Sequence, residues 1–293
     1  MVATLNLRLA SLECDDPWII EQKYFTILND CLQPASQLSA ADAAARINKL
    51  TPMNREAEGE PAEHPESWCL EVWGTISEIV KQIPHDHPSQ DKMVEIMKEL
   101  KALPAVEVHF SETAITRIWT DLPCLMEVWS EAYITPSPKD DASVFEKWIN
   151  WQAFSARVLQ ARLADWFHLT TWSFRDALEE EPLEEKELLE CRIRAAAQWI
   201  EHSRDIIFHS LDKLPDLRDL RPGPLYVSKG GLCRERWDFW EARFRTLADN
   251  GVLTGETAFI CHRVAQQMAA IAAINGGDDE RGFGETATPE DPH

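Results

Sequence analysis

The chain has 293 residues, enough to bury a sizeable core, and its 50 Asp and Glu against 29 Lys and Arg leave a formal net charge of −21. That charge repels phosphate backbones and anionic lipid surfaces at long range, so nucleic acid and membranes are set aside as partners. Gly is scarce at 11, Trp abundant at 12, and strand-like alternation is nearly missing, which makes an all-α fold the expectation.

The first twelve residues lack a long apolar run, and Asp15, Asp16 and Pro17 follow at once, so no signal peptide is expected. No later segment has the uninterrupted apolar length of a bilayer span. Trp18, Phe25 and Leu28 predict a first helix over 17–32. Ser39 followed by Asp42 predicts a capped short helix through Leu50. Residues 51–64, with Pro52, Gly59, Pro61 and several charges, read as an exposed and mobile linker.

The apolar stripe of Trp68, Val72, Trp73, Ile76, Ile79 and Val80 predicts a core helix over 65–83, ended by Pro84. His85-Asp-His87 lies between Pro84 and Pro88 and reads as a solvated turn. A shorter helix follows over 89–103, with Met93, Ile96, Met97 and Leu100 on one face. Residues 113–134 carry apolar residues at helical spacing, and Pro123 divides them into two linked helices.

Ser143-Val-Phe-Glu146 matches a capping box and starts the next helix. From 144 to 179 aromatic residues lie on nearly every face, the pattern of a helix central to the fold. Unbroken it would span on the order of 50 Å, so a bend is expected near Thr170-Thr171. Pro182 introduces a helix over 184–211, and a Pro- and Gly-rich loop fills 214–231. A helix over 234–249 stops at Asn250-Gly251, the last helix covers 255–274, and 275–293 is polar enough to be a disordered tail. The expected architecture is a single domain of about eight to ten helices around a Trp-rich central helix. Residues 1–64 pack on a core of 65–274, and 275–293 trail behind.

Seven cysteines are scattered without any C-x-x-C spacing, so reduced thiols in the cytoplasm are expected, with the nucleus left open. Asp165 and His168, His202 and Asp205, and Asp205 with His209 fall at helical spacing. They depart from the Glu-x-x-His pattern of dimetal bundles, so no metal is assigned and they read as surface or capping pairs. G-x-S-x-G, H-E-x-x-H, Walker A and dinucleotide fingerprints do not occur, so no cofactor and no catalytic set is assigned.

Five segments carry a family resemblance: Trp119-Thr-Asp-Leu-Pro123, Trp148-Ile-Asn150 on to Arg157, Arg175-Asp-Ala-Leu-Glu179, Ala195-Ala-Ala-Gln-Trp199-Ile200, and Arg236-Trp-Asp-Phe-Trp240-Glu-Ala-Arg-Phe244. Together they resemble a fungal family known as domain of unknown function 3632, over roughly 66–268. The resemblance implies an intracellular helical protein and brings no activity, cofactor or catalytic residues. After Ile200, where small residues are expected in relatives, this chain has Glu201-His202.

Arg236 and Arg243 are seven apart and share a helix face, with Phe239 and Trp240 between them. With Arg175 and Trp199 they make a candidate water-poor pocket in which guanidiniums stacked on indoles bind an anionic ligand. The other reading pairs these arginines with carboxylates such as Glu179 or Asp238. The functional expectation is a non-catalytic interaction or regulatory protein, with a small-molecule enzyme or binder for an anionic ligand as the alternative. Partners are then a protein or a small anion, and the oligomeric state is left open.

Overall fold

The computed structural model describes residues 2–213 and 220–279. After a 3-10 turn at Ala10–Glu13, α1 (Ile19–Leu32) buries Ile20, Tyr24 and Leu28. In α2 (Ala40–Lys49) the Ser39 hydroxyl accepts from the Asp42 backbone N–H at 3.0 Å, the cap that the sequence predicts. The expected linker is instead built around a short helix, α3 (Pro52–Ala57), and tied by Arg55. That side chain is 4 % exposed and donates to Leu50 O, Pro61 O and Glu63, so one buried guanidinium holds both ends of the segment.

Helices α4 (Pro65–Lys81) and α5 (Ser89–Lys101) follow their predicted stripes. Between them His87 is buried rather than solvated: its Nε2 pairs with Ala3 O at 2.9 Å and its Nδ1 accepts from Ser89 N. The first of the two helices predicted within 113–134 does not form. Val106–His109 (β1) and Ile115–Ile118 (β2) pair antiparallel, with Val106 opposite Ile118 and His109 opposite Ile115. Their β-branched residues suit a short pleated ribbon better than a helix. The chain then turns through Trp119, Leu122 and Cys124, all with left-handed φ (64°, 47° and 63°), and Pro123 sits within this turn instead of kinking a rod. Only α6 (Leu125–Glu131) is helical.

Helix α7 (Ala142–Gln160) is capped by Asp141, whose carboxylate accepts from Ser143 N and Val144 N. Ser143 is therefore inside the helix, and Glu146 pairs with Arg194 rather than closing a capping box. The long central rod is interrupted at 161–166, where Arg162 adopts φ 55°, and not at Thr170-Thr171. The chain resumes as α8 (Phe167–Phe174) and continues into one π-turn, Arg175–Glu179. Helix α9 (Lys186–His209) bends at Ser203, whose hydroxyl donates to Trp199 O. Helix α10 (Arg234–Asp249) matches its predicted bounds, with Gly251 at φ 72° beyond it. Helix α11 runs Gly255–Asp279, past the expected stop at 274, and the rest of the expected tail, 280–293, lies outside the described residues.

The described residues thus hold eleven α-helices and one two-stranded ribbon. The α7–α9 pair forms the spine, with α4 against α7 and α11 against α9 and α10. One continuous hydrophobic cluster runs from Leu5 to Ile271. Within it Trp166, Trp129, Trp151 and Trp148 stack in sequence, with ring centroids 5.1, 5.9 and 5.6 Å apart. No helix among the described residues is long and apolar enough to cross a membrane.

Candidate functional site

The π-turn at 175–179 has two sides with different chemistry. A π-turn inserts a residue into the helical ladder and re-aims the side chains around it, and such bulges often sit at functional sites. Here the turn sends Glu179 into the interior and leaves Arg175 and Asp176 at the wall of a cleft.

On the interior side, Glu179 and Arg236 are both fully buried and joined by two parallel bonds, Nε to Oε1 at 2.6 Å and Nη2 to Oε2 at 2.9 Å. Trp240 Nε1 also donates to Glu179 Oε1, and Gly223 N donates to Oε2. The remaining guanidinium protons reach Leu220 O, Gly231 O and Arg221 O. Every N–H of Arg236 therefore has a protein acceptor, and its guanidinium lies 5.3 Å from the Trp240 ring centre. At Gly223 a Cβ would lie 2.8 Å from both the Cβ and the carbonyl oxygen of Glu179, so only glycine lets the loop close on the turn. This cluster is a buckle that clamps the loop before α10 to the π-turn.

On the other side lies an open cleft of about 650 Å³, lined by Tyr133, Thr135, Trp172, Arg175, Asp176, Glu180, Glu181, Leu183 and Arg192. Its polar groups are poorly matched to one another. Arg175 makes one long contact to Asp176 at 3.5 Å. Arg192 Nη1 reaches Asp176 O at only 3.4 Å, while its buried Nε meets no acceptor among the described residues. The Tyr133 hydroxyl, sealed from solvent, lies beside Gln152 and the Asp176 carboxyl. Burial lifts the Asp176 carboxyl above its ordinary range, with Arg175 and Arg192 opposing the rise. Burial likewise raises the Tyr133 phenol, which stays protonated.

Of the five residues that the sequence singles out, Arg236 and Trp240 meet at Glu179. Arg243 lies beside them, donating Nε to Leu178 O. Arg175 belongs to the same turn but faces the cleft. Trp199 stands apart in the spine, donating to Gln152 Oε1 at 2.6 Å. Sequence reasoning misses Tyr133, Asp176 and Arg192. Asp176 falls inside one of the family-like segments, but no periodicity signals a π-turn there.

The histidines serve local roles. His209 Nδ1 pairs with Asp205 O at 2.7 Å, and His168 stands edge-on to Trp172 at 5.1 Å. Burial, Arg157 and His85 lower His202 to about 3, so it is neutral at physiological pH.

A family model described as "Protein of unknown function (DUF3632)" matches residues 73–244, more than half of the chain and a narrower span than the 66–268 expected. The match takes in both the buckle and the cleft. No curated protein and no solved structure matches the chain.

Proposed function

The chain belongs to the DUF3632 family, a kinship that brings no chemistry with it, and from its own geometry we propose a non-catalytic binding protein that takes a small organic anion in the α8–α9 cleft. One contrast carries this reading. Arg236 spends every donor on the protein, whereas Arg175 and Arg192 leave donors free beside an aromatic wall. Both guanidiniums line the open cleft, and an anion offering two oxygens can take the donors that they turn toward it. Trp172 and Tyr133, set edge-on to each other at 73°, give the cleft an aromatic corner, so an aromatic carboxylate fits better than a bare inorganic ion. This site excludes Arg236, whose donors are spent, and keeps Arg175.

Calorimetric titration of the full chain with benzoate and with inorganic phosphate tests the proposal. Benzoate is expected to saturate one site, and Arg175→Gln with Arg192→Gln to weaken it about a hundredfold, since each lost charged bond is worth roughly 1.5–3 kcal/mol and the two overlap. Arg243→Gln, outside the cleft, serves as the control. Equal benzoate affinity in wild type and double variant removes the site.

Asp176 sets the pH dependence. Its carboxyl is raised, so the folded protein holds this proton more tightly than the unfolded chain, and as an ionised group it repels an incoming anion. Arg175, Arg192, Tyr133, Glu180 and Glu181 are the other charged or titratable groups at the cleft. Lowering the pH from neutral toward the raised Asp176 value therefore tightens benzoate binding, and binding takes up a proton. Asp176→Asn is expected to bind more tightly at neutral pH and to lose that uptake, measured by calorimetry in buffers of different ionisation heat.

The cytoplasmic placement belongs to the same proposal. It is supported by Cys31, Cys191 and Cys261, free thiols buried singly on α1, α9 and α11, and by Cys69 and Cys124, which neighbour each other as free thiols, as suits a reducing compartment.

A further inference from the structure

A second cleft lies on the face formed by α1 and α4. It is about 270 Å³, lined by Trp18, Glu21, Glu63, Ser67 and Glu71. We propose that it binds an alkylammonium group, seated between the Trp18 ring and the Glu21 and Glu71 carboxylates.

Glu21 is the reason. It is 7 % exposed, yet neither it nor Glu71 has an ion-pair partner among the described residues. Its Oε1 accepts from Ser11 Oγ at 2.8 Å and Thr75 Oγ1 at 2.9 Å. Its Oε2 accepts nothing among the described residues and is not among the sealed polar atoms. Glu21 and Glu71 also line an adjoining cleft of about 400 Å³, so the two carboxylates stand at the join of two open spaces. With two hydroxyl donors on Oε1 and an open Oε2, the Glu21 carboxylate has room for one more donor, and a cation arriving from solvent supplies a charge-assisted one.

The occupant's chemistry follows from the rest of the wall. Trp18 is braced edge-on by Tyr24 at 6.1 Å and presents an indole, the best ring for holding a cation. Glu63 already pairs with Arg55, which leaves two free negative charges for one or two amines. No three carboxylate, His or Cys groups gather in a metal-holding cluster among the described residues, so a desolvated metal ion is the poorer fit. The negative field is felt next door: besides burial, Glu21, Glu71 and Glu63 each push the Tyr24 phenol further up. The residues that line this cleft all fall outside the matched family span, and none of them lines the α8–α9 cleft.

A free diamine and a lysine of a partner peptide offer the same group. The test therefore titrates the ¹⁵N-Trp-labelled full chain with 1,4-diaminobutane and, separately, with Nα-acetyl-lysine amide, following the Trp18 indole N–H assigned with Trp18→Phe. Saturable shifts are expected for at least one amine. Glu71→Gln, an exposed change that leaves packing alone, is expected to weaken binding about threefold to tenfold, and Glu21→Gln by about tenfold or more. Tighter diamine binding identifies a free amine, and tighter lysine-amide binding a partner's side chain. If neither amine moves the Trp18 signal, or if both glutamine variants bind as wild type does, the site is abandoned.

Discussion

Replacing Arg236 with Met is expected to lower stability by about 3–5 kcal/mol, the usual consequence of stranding one member of a buried ion pair. The loss has named parts. Glu179 keeps its charge in a fully buried position with only Trp240 Nε1 and Gly223 N to stabilise it. Leu220 O, Gly231 O and Arg221 O lose their donor together, so the loop before α10 is released from the π-turn. At roughly 2–4 °C per kcal/mol for a chain of this class, the melting temperature falls by about 10 °C. Glu179→Leu on the Arg236→Met background removes the stranded charge and recovers part of the loss, but the orphaned loop carbonyls and the Trp240 indole remain. A thermal melt of Arg236→Met within about 1 °C of wild type would show that the pair is solvated rather than buried.

The same cluster marks how far residue patterns alone can reach. The pairing of an arginine in 236–244 with Glu179 is one of two readings the sequence allows, because an acidic chain offers carboxylates in excess and a long guanidinium stem packs on indoles. No pattern discloses that Gly223 and three backbone carbonyls complete the shell, since their approach depends on the path of a distant loop. Helices whose burial pattern is local are legible: α10 ends where its periodicity ends, and the Ser39 cap forms as its spacing suggests. Legibility fails where tertiary packing overrides a local pattern. Residues 115–118 carry helix-compatible spacing but pair with 106–109, and Ser143 yields the cap to Asp141, two residues earlier. The cleft is the least legible feature. Its wall joins Tyr133 after α6, Trp172 on α8, Asp176 in the π-turn and Arg192 on α9, and no spacing rule connects four such elements.

Replacing Trp129 with Ala is the second large effect expected, about 3–5 kcal/mol, because the ring is fully buried and its loss leaves a cavity in the core. Trp129 lies between Trp166 and Trp151 in the indole stack and packs on Phe154, and its Nε1 donates to Ser155 Oγ at 3.0 Å. Truncation therefore removes two stacking contacts and one buried hydrogen bond along with the apolar area. Trp129→Phe keeps a ring in place and is expected to lose about half as much. The stack also reaches the binding cleft: Tyr133 packs edge-on against Trp148, Trp151 and Trp172, with centroids 5.0, 6.2 and 5.2 Å away. Slackening the stack at Trp129 frees Trp151 to tilt, and Tyr133 then loses the brace that fixes one wall of the cleft. Urea unfolding of both variants measures the stability change, and benzoate calorimetry on the still-folded Trp129→Phe protein measures the coupling. Weaker benzoate binding in that variant is the expected result. Unchanged affinity beside a clear loss of stability would mean that Tyr133 is held by Trp148 and Trp172 alone and that the stack supports the fold without positioning the site.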